Sequence, residues 1–142
     1  MSAERLVGGW RLVGWDIVSG DGRTSHPFGD APEGMIVYTA DGAMSALIAE
    51  AGRAPLSAPS MKSAPEAERA AAFSSFFAYG GTFVVEGDTV VHRVTVALNP
   101  AFVGTEQRRS MAFDGAGGLT LSASEPDGKG GTRRHAIRWR RA

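Results

Sequence analysis

Apolar and polar residues alternate along most of this chain, the pattern of β-strands with one face buried. Trp10 to Ser19 predicts a long first strand, closed by Gly20-Asp21-Gly22, and a polar stretch with His26-Pro27-Phe28-Gly29 follows. Met35 to Thr39 predicts a second strand, and Asp41-Gly42 is a two-residue hairpin signal into a third, Ala43 to Ala49. The Ala-, Pro- and Ser-rich segment from Glu50 to Lys62 predicts a loop. Further strands are expected at 82–85, 89–98, 106–113, 119–124 and 132–140, separated by turns rich in Gly and Asp.

One segment departs from that rhythm. Ser63-Ala64-Pro65-Glu66 fits a capping box with proline in the first turn. Ala70, Phe73 and Phe77 then recur at helical spacing, with Ala72, Phe76 and Tyr79 alongside. The expectation is one amphipathic helix over about residues 65–79, plugging or flanking a sheet and ended by Gly80-Gly81. Eight strands joined mostly by short turns resolve their edges best by closing. The expected fold is therefore all-β, an antiparallel up-and-down barrel with one inserted helix, in a single domain over residues 1–142.

Two of these strands hold the candidate chemistry. In the run from Thr89 to Leu98, one face reads Val90, His92, Val94, Val96, Leu98, and Arg93 marks the other face as outer. In the run from Glu106 to Phe113, the apolar face reads Gln107, Arg109, Met111, Phe113. A buried polar or charged group costs several kcal/mol unless it is paired, so three such groups together call for a reason. Inward faces of opposite parity leave two registers, set by a loop over 99–104 or over 99–102. The first makes Arg109 a diagonal neighbour of His92 and the second sets it directly opposite, with Cβ atoms within about 8 Å in either.

Composition narrows the partners. Fifteen basic and fifteen acidic residues balance, which points away from nucleic acid or an anionic membrane as partner. Arg133, Arg134, Arg138, Arg140 and Arg141 read as the outer face of a last strand plus a solvated tail. The chain has no cysteine, which excludes disulfides and thiolate chemistry. No run approaches the ~18 apolar residues needed to span a bilayer, and the first residues lack the pattern of a secretion signal. The expected location is cytoplasmic, with oligomeric state open and a homodimer among the options. His26, His92 and His135 sit in separate elements without metal-ligand spacing, and no phosphate loop or nucleophile elbow is present, so neither metal nor cofactor is expected.

Gly8-Gly9-Trp10 is a Gly-x-Trp opening a first strand, as in lipocalins. Together with Leu6 to Leu12, Pro27-Phe28-Gly29, Tyr38 to Ser45, Phe76 to Thr82 and Val103 to Arg109, it resembles a family of short bacterial and fungal lipocalin-like domain proteins. The resemblance implies a barrel whose tryptophan packs across the closed end under an arginine of the final strand, a part open to Arg138 or Arg140. It also permits tailoring chemistry, since related barrels serve as enzymes of polyketide and terpenoid assembly.

Three functions follow. The preferred one is recognition of a small, largely apolar metabolite with an anionic or carbonyl group set near Arg109, His92 and Gln107. The second is a cofactor-independent isomerase, cyclase or lyase. There His92, held neutral beside the guanidinium with a ring nitrogen free, takes a proton, and Arg109 stabilises the enolate. The third is a barrel with a filled core acting through its surface. The structural alternative to a site is an internal network, with Arg109 paired to a carboxylate such as Glu33 or Asp16 and His92 bonded to a tyrosine or backbone group. Tyr38, Ser45, Tyr79 and His135 are further candidates to touch a ligand. Trp15, Phe73, Phe76 and Phe77 are expected in the core.

Overall fold

The computed structural model describes residues 3–142. One antiparallel sheet holds β1 (Gly8–Ser19), β2 (Thr24–Ser25), β3 (Glu33–Tyr38), β4 (Ala43–Ala49), β5 (Phe76–Glu86), β6 (Thr89–Ala97), β7 (Glu106–Phe113), β8 (Gly118–Pro126) and β9 (Thr132–Arg141). From β3 onward each strand pairs with the next, and β9 returns to pair with β1 from Trp10 to Ser19. That last ladder closes an up-and-down barrel of eight strands, leaving only the two-residue β2 outside the circuit, paired to Ile17 and Val18 of β1. Closure satisfies the backbone groups that an open sheet would leave at its edges.

Trp10 seals one end. It is 2% exposed, its indole donates to the Leu6 carbonyl at 2.8 Å, and its ring lies 6.2 Å from that of Phe113. The guanidinium that covers it belongs to Arg141, at 3.9 Å from the ring centroid, and not to Arg138 or Arg140. Register explains the correction: Arg141 stands opposite Trp10, one residue past the expected end of the strand. Arg138 lies on the outer face and pairs with Asp16 at 3.3 Å, while Arg140 donates to the Ala116 carbonyl.

The helix is shorter than its spacing predicts. It runs over Glu66–Ser74 (α1), buries none of its residues and leaves Phe73 52% exposed, so it flanks the barrel and does not plug it. The capping box does not form. Pro65 takes the N-cap position without a side-chain bond, and the Ser63 hydroxyl turns back to the Ser60 carbonyl in a short 3-10 turn. Residues 76–79 belong to β5 instead, where Phe77 and Tyr79 face inward and Phe76 lies under the Arg53 guanidinium. Aromatic residues at 73, 76, 77 and 79 satisfy a helical stripe and a strand alternation at once. Pairing with β4 decides between them.

Gly80 and Gly81 are not a helix stop but the site of a bulge. Gly80 faces Val96 and Gly81 faces Val94, so Thr95 is an extra residue on β6. The parity of β6 therefore flips: Val90, His92 and Val94 are buried, while Val96 is 65% exposed and Ala97 packs against the core. The inward face expected to continue through Val96 ends at Val94.

Candidate functional site

At the barrel end away from Trp10 lies a cavity of about 380 Å³, within the ~300–1,000 Å³ typical of small-molecule sites. Trp15, Ile48, Phe77, Phe102, Leu121 and Ile137 supply its apolar wall. Glu106, Gln107, Arg108, Arg109, Ser124, Glu125 and His135 supply the polar groups. Trp15 and Phe77, expected in the core, thus face a void. Phe102 was not foreseen at all: Asn99 caps a 3-10 turn at Pro100–Phe102, which carries that ring back toward Phe77, with centroids 5.6 Å apart. The signal for it was the Asn-Pro pair, a turn start.

His92, Gln107 and Arg109 do share one inward region, in a register that neither loop length gave. His92 faces Gln107 and Arg109 faces Val90, making Arg109 the diagonal neighbour of His92. The β6–β7 connection is longer than either expectation because the turn after Asn99 is spliced into it: the Val94 amide bonds the Thr105 carbonyl, so the ladder reaches no further along β6.

His92 is 1% exposed, and both of its ring nitrogens are occupied. Nε2 lies 2.7 Å from the Tyr38 hydroxyl and Nδ1 lies 2.6 Å from the Tyr79 hydroxyl. The nitrogen expected to be free for proton abstraction is therefore not free. Burial first, and then the Arg109 charge, push the histidine down from 6.5 to about 3, so the ring is neutral and a weak base. Burial also pushes Tyr79 up to about 12 and Tyr38 well above the usual phenol range, so both hydroxyls keep their protons.

Arg109 is half-buried in the cavity wall. Its Nη1 donates to the Arg108 carbonyl at 2.9 Å and its Nη2 to Gln107 Oε1 at 3.3 Å. Gln107 is in turn braced by donating to the Thr105 hydroxyl at 2.9 Å. Among the described residues no carboxylate pairs with Arg109. Asp16 bonds His26 and Arg138 outside the barrel, and Glu33 is exposed. The guanidinium thus holds its orientation through two neutral acceptors, and the Glu106 and Glu125 carboxylates in the same wall pair with other residues.

The remaining candidates separate. Tyr38 and Tyr79 both reach the interior, Tyr79 from β5 and not from a helix end. Ser45 lies on the outer face with Leu47, opposite in parity to the buried Met44, Ala46 and Ile48, which takes it away from a ligand in the lumen. His135 lines the cavity, and its tautomer is fixed. The Trp15 indole can only donate, and it does so to His135 Nδ1 at 3.1 Å, which leaves Nε2–H to donate to Glu125 Oε1 at 2.7 Å. That bond, with help from Arg133, holds the Glu125 carboxyl below its ordinary range. His26, bonded to Asp16 outside the barrel, takes no part.

The model of a family described as a lipocalin-like domain matches residues 7–142, nearly the whole chain. No curated protein matches the chain at a significant level.

Proposed function

Because the chain belongs to the lipocalin-like domain family, we propose that its barrel binds a small, largely apolar molecule, with a carbonyl or anionic oxygen of that molecule set against Arg109. The observation that carries this reading is the guanidinium itself: a cation in the wall of a partly apolar cavity, held by two neutral acceptors and in no ion pair among the described residues. Withdrawing a charge from water without a counter-charge is costly, and a ligand oxygen removes that cost on binding. The aromatic and aliphatic wall suits an apolar body of modest size. A filled-core barrel acting through its surface has no use for such a cavity.

Proton abstraction by His92 has less support. A base works best near the operating pH, with a nitrogen in reach of the substrate. His92 has both nitrogens bonded to tyrosines and lies beneath the cavity wall.

Trp15 lines the cavity and gives a fluorescence signal for titration. Naphthoate is expected to bind saturably and at least tenfold more tightly than naphthylmethylamine, a difference of about 1.4 kcal/mol. Equal affinity for the acid and the amine, or saturable binding by neither, contradicts the proposal.

A further inference from the structure

The Tyr38–His92–Tyr79 chain has more protons than it can use. A neutral imidazole bears one N–H, and each phenol bears one O–H. These three protons serve only two hydrogen bonds, Tyr38 to Nε2 and Tyr79 to Nδ1. In either tautomer one tyrosine donates to the ring, and the other accepts from it and keeps its own O–H unspent. Among the described residues neither hydroxyl has a second partner.

The surroundings decide which end holds the surplus. Tyr38 is 2% exposed, and its ring neighbours are Phe83, edge-on at 4.8 Å, and His92. Neither of these lines the cavity, so a spare proton there is a buried donor with nothing to meet. The Tyr79 ring stands edge-on to Phe77 at 5.5 Å and lies 6.1 Å from Phe102, and both of those rings line the cavity. The Arg109 charge bears on both tyrosines and does not choose between them. Tyr79 is 6% exposed and stands behind the Phe77 and Phe102 rings, so this end of the network is the one next to the cavity.

We infer that Tyr38 donates to His92, that His92 donates from Nδ1 to Tyr79, and that Tyr79 offers its hydroxyl proton beside Arg109 to a carboxylate-bearing ligand. The choice of carboxylate rests on the binding reading above, whereas the direction of the hydrogen-bond chain does not. Two donors side by side fit a group with two acceptor oxygens and no donor. A carboxylate gives one oxygen to the guanidinium and one to the phenol. An amide of the same shape turns an NH₂ toward one of the two donors, and an ammonium opposes both.

Two measurements test this. Heteronuclear NMR of the ring nitrogens in the ligand-free protein is expected to show His92 as the Nδ1–H tautomer. A dominant Nε2–H tautomer puts the surplus on Tyr38 and overturns the inference, whether or not any ligand binds. In titrations, the wild type is expected to prefer naphthoate over naphthamide at least tenfold, and Tyr79→Phe to lose at least tenfold for naphthoate while keeping its affinity for naphthamide. If naphthoate binds in an Arg109-dependent way and Tyr79→Phe leaves it unchanged, the Tyr79 assignment fails and the binding reading stands. If naphthoate does not bind, the binding reading and the carboxylate assignment fail together, and the tautomer alone decides the direction of the chain.

Discussion

Acidification below neutrality is expected to destabilise this protein by up to about 1.4 kcal/mol for each pH unit, through His92 alone. In the unfolded chain this histidine takes a proton near 6.5, whereas in the barrel burial and the Arg109 charge hold it down to about 3. Between those values the unfolded state binds more protons than the folded one, so stability falls as pH falls. The contribution is fully present above the unfolded value and is lost progressively down to the folded one. Glu125 is likewise held below its ordinary 4.5, by hydrogen bonds to its charged form and not by burial, so its own acid loss starts lower, as pH falls through the carboxylate range. Urea midpoints measured from about pH 7 to about pH 5 stay above the carboxylate range, and comparison with a His92 variant separates this histidine from His26 and His135. The wild type should lose stability across that interval, while His92→Gln, which retains an acceptor and a donor for the tyrosines, should start less stable and lose less. Parallel slopes in the two proteins count against a neutral, buried His92.

Gly81→Ala is expected to be among the most damaging single substitutions in the chain. A Cβ on Gly81 would sit 1.9 Å from the Arg93 carbonyl oxygen, with the Arg93 carbonyl carbon and the Thr95 amide nitrogen each at 3.0 Å. All three are backbone atoms of the bulge, which no side-chain rotation can clear. Forcing them apart should cost about 3 kcal/mol or more and lower the melting temperature by roughly 10 °C. The bulge also sets the parity of β6 beyond Val94, so the damage reaches the wall that holds Tyr79 and Ala97. Calorimetry of the variant checks this, and a melting temperature within a degree or two of wild type contradicts the bulge as described.

These two residues also mark what the sequence makes legible. Strand alternation places His92 inward between Val90 and Val94, and puts Gln107 and Arg109 on the face that continues into Met111 and Phe113, and that signal needs no knowledge of the partner strand. The register between their strands depends on how many residues the intervening turn absorbs, and the turn at Pro100–Phe102 is a local feature that alternation does not report. Tyr79 was misplaced for a related reason. Its segment fits a helix and a strand equally, and Gly80-Gly81 resembles a helix end as closely as a bulge where backbones approach. The second hydrogen-bond partner of His92 was hidden with it. Arg141 reads as part of a solvated tail because strand ends are the least certain part of any pattern, and one more residue of β9 brings it over Trp10. Closure of the barrel, by contrast, follows from eight strands in simple succession, and neither slip disturbs it.

In the proposed function Arg109 is the group that holds the ligand's oxygen. The most direct test is titration of naphthoate into the wild type and into Arg109→Met, which keeps the length and apolar stem of the side chain and removes its charge and donors. Loss of a charged hydrogen-bonding partner predicts a roughly 10- to 100-fold weaker complex, with the melting temperature of the ligand-free protein nearly unchanged. Equal affinity in the two proteins, with both folded, would contradict that role for Arg109.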